Sequence, residues 1–94
     1  MDHPTFEEFA AAARREGYDE VLERTWQPGL DIAEHEHPFA VKALVVAGEM
    51  WLIEGDRSRH LRAGDAFELP RSAPHAERYG PDGATYWAAR RNAA

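Results

Sequence analysis

The chain has no cysteine and a single lysine, Lys42. Without thiols it can form no disulfide, no thiolate metal site and no cysteine nucleophile. That usage fits a cytoplasmic setting. Positive charge is scarce as well, with 11 basic residues against 17 acidic ones and a formal charge of −6. Arg57, Arg59 and Arg62 are close in sequence, but Asp56 and Asp65 flank them, as on a solvated strand face. With no basic stripe, nucleic acid is not an expected partner. No apolar run approaches the roughly 20 residues of a membrane helix, and the polar start Met1-Asp2-His3-Pro4 does not read as a signal peptide. No membrane partner is expected either.

What remains is a chain of 94 residues with ordinary apolar content and many aromatics. That length suits one domain, with only about 60–65% of the unfolded surface buried. Such a core is thin, so self-association as a homodimer is expected. Apolar residues at both parities of Val41 to Val46 point the same way, since both faces of that strand want cover. One face meets the core, and the other meets a partner or a helix.

Thr5-Phe6-Glu7-Glu8 reads as a capping box, with Phe6, Phe9, Ala10 and Ala13 following at helical spacing. Arg14 and Arg15 suit the helix C-terminus, and Gly17 is a natural stop. The pattern predicts a short amphipathic helix over residues 6–16. Beyond Gly17, short runs rich in Val, Ile, Leu, Trp and Tyr alternate with Gly, Pro and Asp. Strands are expected near 20–26, 31–36, 39–46, 50–54, 57–61, 66–69, 75–79 and 84–90. Turn signals separate them, including Ala47-Gly48-Glu49 and Gly80-Pro81-Asp82-Gly83. Eight short strands with such punctuation predict an all-β sandwich or barrel. No second helical run separates the strands, which argues against a parallel α/β sheet. The expected organisation is a helical segment over 1–18, a β-barrel over 19–91 and a tail over 92–94, with fraying from Arg90 onward.

Within this pattern lies Gly29-Leu30-Asp31-Ile32-Ala33-Glu34-His35-Glu36-His37. Alternate residues of a strand share a face, about 6.6 Å apart at Cα. His35 and His37 can therefore lean toward one point, and a histidine from a neighbouring strand can complete a metal site. Imidazole is a common ligand for zinc, iron, nickel and copper. Three neutral nitrogens suit those ions better than magnesium or calcium, which favour oxygen.

The sequence resembles the cupin family, small jelly-roll (double-stranded β-helix) proteins with a metal site inside the barrel. The first cupin motif is a glycine, five residues, His-x-His, a glutamate and a closing glycine. Gly29, His35, His37 and Gly48 match it, while Val41 and Lys42 stand where the glutamate belongs. The second motif matches at Gly64, Pro70 and His75. Ser72 replaces its second glycine, and Tyr79 replaces its asparagine. The resemblance covers about residues 26–90 and implies a cupin jelly roll preceded by a short N-terminal α-helix. It implies that His35, His37 and His75 hold a divalent transition metal (zinc, iron, nickel or copper) and that a small organic molecule binds beside it.

The missing carboxylate has one further candidate. His75, Glu77 and Tyr79 alternate along one expected strand, so all three share a face. Glu77 is a candidate fourth ligand or general base, and Tyr79 a candidate hydrogen-bond donor to a bound oxygen species. The plainer alternative pairs Glu77 with Arg78 at a strand end. Lys42 has the opposite parity to Val41, Ala43 and Val45 and is expected to face outward. His60 is expected at a solvated strand end, and Glu34 and Glu36 outward, with Glu36 a possible support for a ligand ring. Three functions stay open: a metal-dependent ligand-binding domain, a metal-dependent enzyme of oxygenase, isomerase or lyase type, and a metal-free structural or sensor domain.

Overall fold

The computed structural model describes residues 3–92. The capping box forms as expected. The Glu8 amide donates to the Thr5 hydroxyl at 3.1 Å, and the Thr5 amide donates to the Glu8 carboxylate at 2.8 Å. Helix α1 runs over Phe6–Arg15, one residue shorter than the spacing predicts. Gly17, at φ 95°, turns the chain out of it.

Six strands follow: β1 Glu20–Trp26, β2 Asp31–His35, β3 Ala40–Glu54, β4 Arg57–Arg62, β5 Ala66–Leu69 and β6 His75–Arg91. The eight expected strands become six because two of the expected turns are bends inside long strands. Residues 47–49 bend β3, and residues 80–83 bend β6. The expected turns do not form because the two bends lie against each other, with Ala47 opposite Thr85 and Gly48 opposite Ala84. Gly48 and Gly83 have φ of 71° and 69°. A Cβ on Gly48 would lie 2.1 Å from the Gly83 carbonyl oxygen, so only glycine lets the backbones approach this closely. Arg90 and Arg91, expected to fray, belong to β6; residues 93 and 94 of the expected tail lie outside the described residues.

The bends divide β3 and β6 between two layers. The first layer pairs β1 with Ala84–Arg90 of β6, those residues with the first half of β3, and that half with β5. The second layer pairs β2 with the first half of β6, that half with Met50–Ile53 of β3, and these with β4. All pairing is antiparallel, and the hydrogen-bonded path does not close on itself.

The core fills the space between the layers. Val45, Met50 and Leu52 are fully buried there, with Leu61, Phe67 and Tyr79 beside them. As parity predicts, Val41, Ala43 and Val45 point inward. On the outside of the first layer, α1 lays Phe9 and Ala13 over Trp87 and Ala89, with Leu44 and Val46 packed against them. The helix therefore covers the second apolar face of β3. Lys42 shares that outward side and pairs with Glu16 at 2.7 Å. No helix among the described residues is long and apolar enough to cross a membrane.

Candidate metal centre

Strand parity delivers the site to one end of the space between the layers. His75 and Glu77 point inward from the first half of β6, and both are buried, at 2% and 6% exposure. His35 is the last residue of β2 and pairs with His75 across the strands. His37 does not continue the strand, as the two-residue spacing predicts; β2 ends at His35, after a register shift between Ile32 and His35. His37 is instead held by its carbonyl, which accepts the Ser72 amide at 2.9 Å, and by Phe39, stacked on its ring at 4.8 Å. Ser72 stands where the second motif has glycine, and it keeps a positive φ of 62°. That backbone conformation is strained for serine.

The three imidazoles converge. Ring centroids are 4.8 Å apart for His35 and His37, 4.3 Å for His35 and His75, and 5.1 Å for His37 and His75. One ligand nitrogen from each lies within 4.8 Å of the others, so the group could hold a metal ion. Two rings are oriented by the backbone. His35 Nδ1 lies 2.8 Å from the Ala33 carbonyl, and His75 Nδ1 lies 2.9 Å from the Ala73 carbonyl. A carbonyl only accepts, so Nδ1 carries the proton in both rings, and the Nε2 lone pairs turn toward the shared centre.

Glu77 faces those lone pairs. Its Oε2 is 3.6 Å from His35 Nε2 and 3.5 Å from His75 Nε2. Two ligands, each about 2.0–2.2 Å from one ion, sit roughly 3–3.5 Å apart. The Glu77–His35 and Glu77–His75 separations are near that spacing, and a donor set of three imidazoles and one carboxylate is of the kind that suits a divalent transition metal. Glu77 does not pair with Arg78, which turns to the other face and meets Asp31 at 3.1 Å.

The protonation pattern follows from these contacts. Burial acts to raise the Glu77 pKa, but His75, the Tyr79 hydroxyl and His35 outweigh it and hold the carboxyl below its ordinary range. The contact with Glu77 raises His75 against the opposing effect of burial. Burial lowers His37, and the neighbouring His35, His75 and Arg90 lower it further. Burial foremost, then Tyr86 and Glu77, pushes the Tyr79 phenol far above its ordinary value, so it stays protonated. Its hydroxyl donates to Glu77 Oε1. Tyr79 stacks on Trp26 behind the carboxylate, with centroids 5.5 Å apart, and does not line the cavity.

The cavity holds about 120 Å³, and the three histidines and Glu77 line it. Phe39, Val41, Phe67, Leu69 and Ala88 form its apolar wall. Two lining residues had drawn no attention in the sequence, Arg24 and Arg90. Parity finds them: Arg24 alternates with Trp26, and Arg90 with Tyr86 and Ala88. His60 lies outside, stacked on Trp51 at 4.5 Å and 3.5 Å from Glu49. Glu34 and Glu36 are exposed.

Two bent layers of antiparallel strands, with a histidine cluster between them, define a jelly roll. The family model described as "Cupin domain" matches residues 22–85, and the chain belongs to the cupin family. Solved structures agree. An RmlC-like cupin from Shewanella frigidimarina superposes with a TM-score of 0.69 at 23% identity, over 78% of this chain and 65% of that one. The DMSP lyase DddQ from Ruegeria pomeroyi superposes with a TM-score of 0.70 at 28% identity, over 76% of this chain and 36% of that one. The polyketide cyclase RemF from Streptomyces resistomycificus gives 0.67 at 24% identity, over 85% and 60%. This chain spans less than two thirds of the length of each. No curated protein matches the sequence.

Proposed function

We propose that this chain is a metal-binding cupin domain that receives a small organic ligand at a site built from His35, His37, His75 and Glu77. One observation carries the reading. A single carboxylate oxygen of Glu77 lies 3.5–3.6 Å from the Nε2 atoms of both His35 and His75. Those nitrogens are presented by rings whose Nδ1 atoms are tied to backbone carbonyls. Zinc, iron, nickel and copper all suit this donor set. When bound, such an ion supplies a Lewis-acid centre for an oxygen of the ligand.

The chain's own residues do the rest. Glu77, held ionised below its ordinary range, acts as a ligand in preference to a base, because a weakly basic carboxylate takes protons poorly at neutral pH. Tyr79 positions Glu77 and leaves Oε2 for the centre. The apolar wall excludes water from the ligand's carbon skeleton.

Lyase chemistry on a small metabolite is the second reading, favoured by the 28% identity to a DMSP lyase over 76% of this chain. Incubating the protein as purified with DMSP and following its loss tests it; no loss leaves the binding reading alone. The metal site is tested by replacing His35, His37 and His75 together with Ala. Bound metal, measured by mass spectrometry, is expected to vanish. Unchanged stoichiometry refutes the site.

A further inference from the structure

The cavity has a charge asymmetry that metal binding does not use. Its acid, Glu77, accepts from Tyr79 at Oε1 and turns Oε2 to the centre beside His35 and His75. Its two arginines are not engaged. Among the described residues, neither the Arg24 nor the Arg90 guanidinium makes a hydrogen bond or an ion pair. Each lies against an aromatic ring in the wall, Arg24 at 4.8 Å from the Trp26 centroid and Arg90 at 4.6 Å from the Phe39 centroid. Stacking holds a guanidinium flat and partly strips it of water, while its N–H donors stay available in the ring plane.

The two arginines occupy different places. Arg90 lies near the end of β6, close to the histidines: the Phe39 ring it covers is also the ring stacked on His37. Arg24 lies on the edge strand β1, opposite Tyr86 and nearer the bend. A ligand in the cavity can therefore meet the Arg90 fork and the histidine cluster together.

Resting on the metal-site reading, we propose that the ligand is a small organic acid whose carboxylate is received by Arg90, with Arg24 as a second cation lining the same cavity. A guanidinium presents paired donors that match a carboxylate, and the bond strengthens where water is excluded. A cavity of about 120 Å³ has room for a few carbons beyond that carboxylate. The apolar wall suits an alkyl or alkenyl chain. A neutral or cationic ligand of the same shape leaves both half-buried guanidiniums without an anionic partner and is disfavoured.

The experiment compares butanoate with butanamide, which match in shape and differ in charge. Binding to the protein as purified is followed by calorimetry, with bound metal quantified in the same samples. Wild type is expected to bind butanoate at least tenfold more tightly than butanamide. Arg90→Gln is expected to lose at least tenfold in butanoate affinity, with butanamide affinity and metal content unchanged. Arg90→Lys, which keeps charge but not the fork, is expected to fall between. Equal binding of acid and amide by wild type overturns the proposal, as does failure of butanoate to bind at millimolar concentration. Wild-type butanoate affinity in a folded Arg90→Gln protein overturns the role of Arg90. If Arg90→Gln fails to fold, the acid–amide comparison and Arg90→Lys still decide. Acid preference in metal-free samples supports the arginine site while refuting the metal site, so the two readings fail separately.

Discussion

The second half of β6 presents two faces to two different environments. Trp87 and Ala89 point out under helix α1, into an apolar seam with Phe9 and Ala13. Tyr86, Ala88 and Arg90 point in, toward the cavity and its histidines. One strand thus carries a dry contact and a functional wall on alternate residues. The outer seam is held by shape, with Phe6 and Phe9 centroids 5.5 and 6.0 Å from Trp87. The inner wall is held by charge: a carboxylate with two imidazoles, and guanidiniums on rings. The first kind of face resists mutation through packing, and the second trades packing for the capacity to bind.

The comparison breaks most readily at Trp87. Trp87→Ala is expected to cost about 3–5 kcal/mol of stability, read by denaturant unfolding, because it empties the seam. Metal bound per folded molecule should stay unchanged. Parallel loss of metal from protein that remains folded would mean that the two faces are not independent. Glu77→Gln tests the inner face. It keeps shape and removes charge, and metal affinity is expected to fall at least tenfold, about 1.4 kcal/mol. Affinity within twofold of wild type removes Glu77 from the ligand set.

Thr5→Ala sharpens the outer side. Loss of the capping hydroxyl should destabilise by about 1 kcal/mol and leave metal affinity untouched. A change in that affinity would link the helix to the site.

The smallest effect concerns pH in the presence of a chelator. The depressed Glu77 contributes stability above its ordinary pKa of 4.5, and that contribution is lost as pH falls through its lowered folded value. The raised His75 contributes fully below its ordinary 6.5, and that contribution is lost as pH rises through its raised folded value. Both act together only between. The destabilisation caused by Glu77→Gln should therefore be larger at about pH 5.5 than at about pH 8. A difference flat across that range would separate the two groups.

Much of this was legible in the chain. The capping box, the bounds of β1 and β5, the outward Lys42 and the inward alternation of His75 and Glu77 follow from local chemistry and period-two parity. The bends were misread for a physical reason. Gly-Pro-Asp-Gly signals a reversal, but here it is an unpaired bulge in β6 between the Gly48–Ala84 and Met50–Tyr79 pairs, and that pairing spans about 30 residues of chain. His37 was placed by parity in a strand that had already ended, yet it reaches the cluster because Ser72 holds its carbonyl. Arg90 reads in the sequence as the start of a fraying tail, and nothing local distinguishes Arg24 from any other basic strand residue. Only the tertiary arrangement shows that their neighbours at period two line a cavity.

The meeting of Gly48 and Gly83 has a bearing on how this chain tolerates change. A side chain at either position would drive into backbone, at 2.1 Å for Gly48 and 2.3 Å for Gly83 against the Trp26 carbonyl. Flexible side chains can yield to such an intrusion, but backbone cannot. A survey of every single substitution would therefore rank these two glycines as strictly as the histidines, though neither lines the cavity. Intolerance in this fold records where the two layers are hinged as faithfully as it records where a ligand sits.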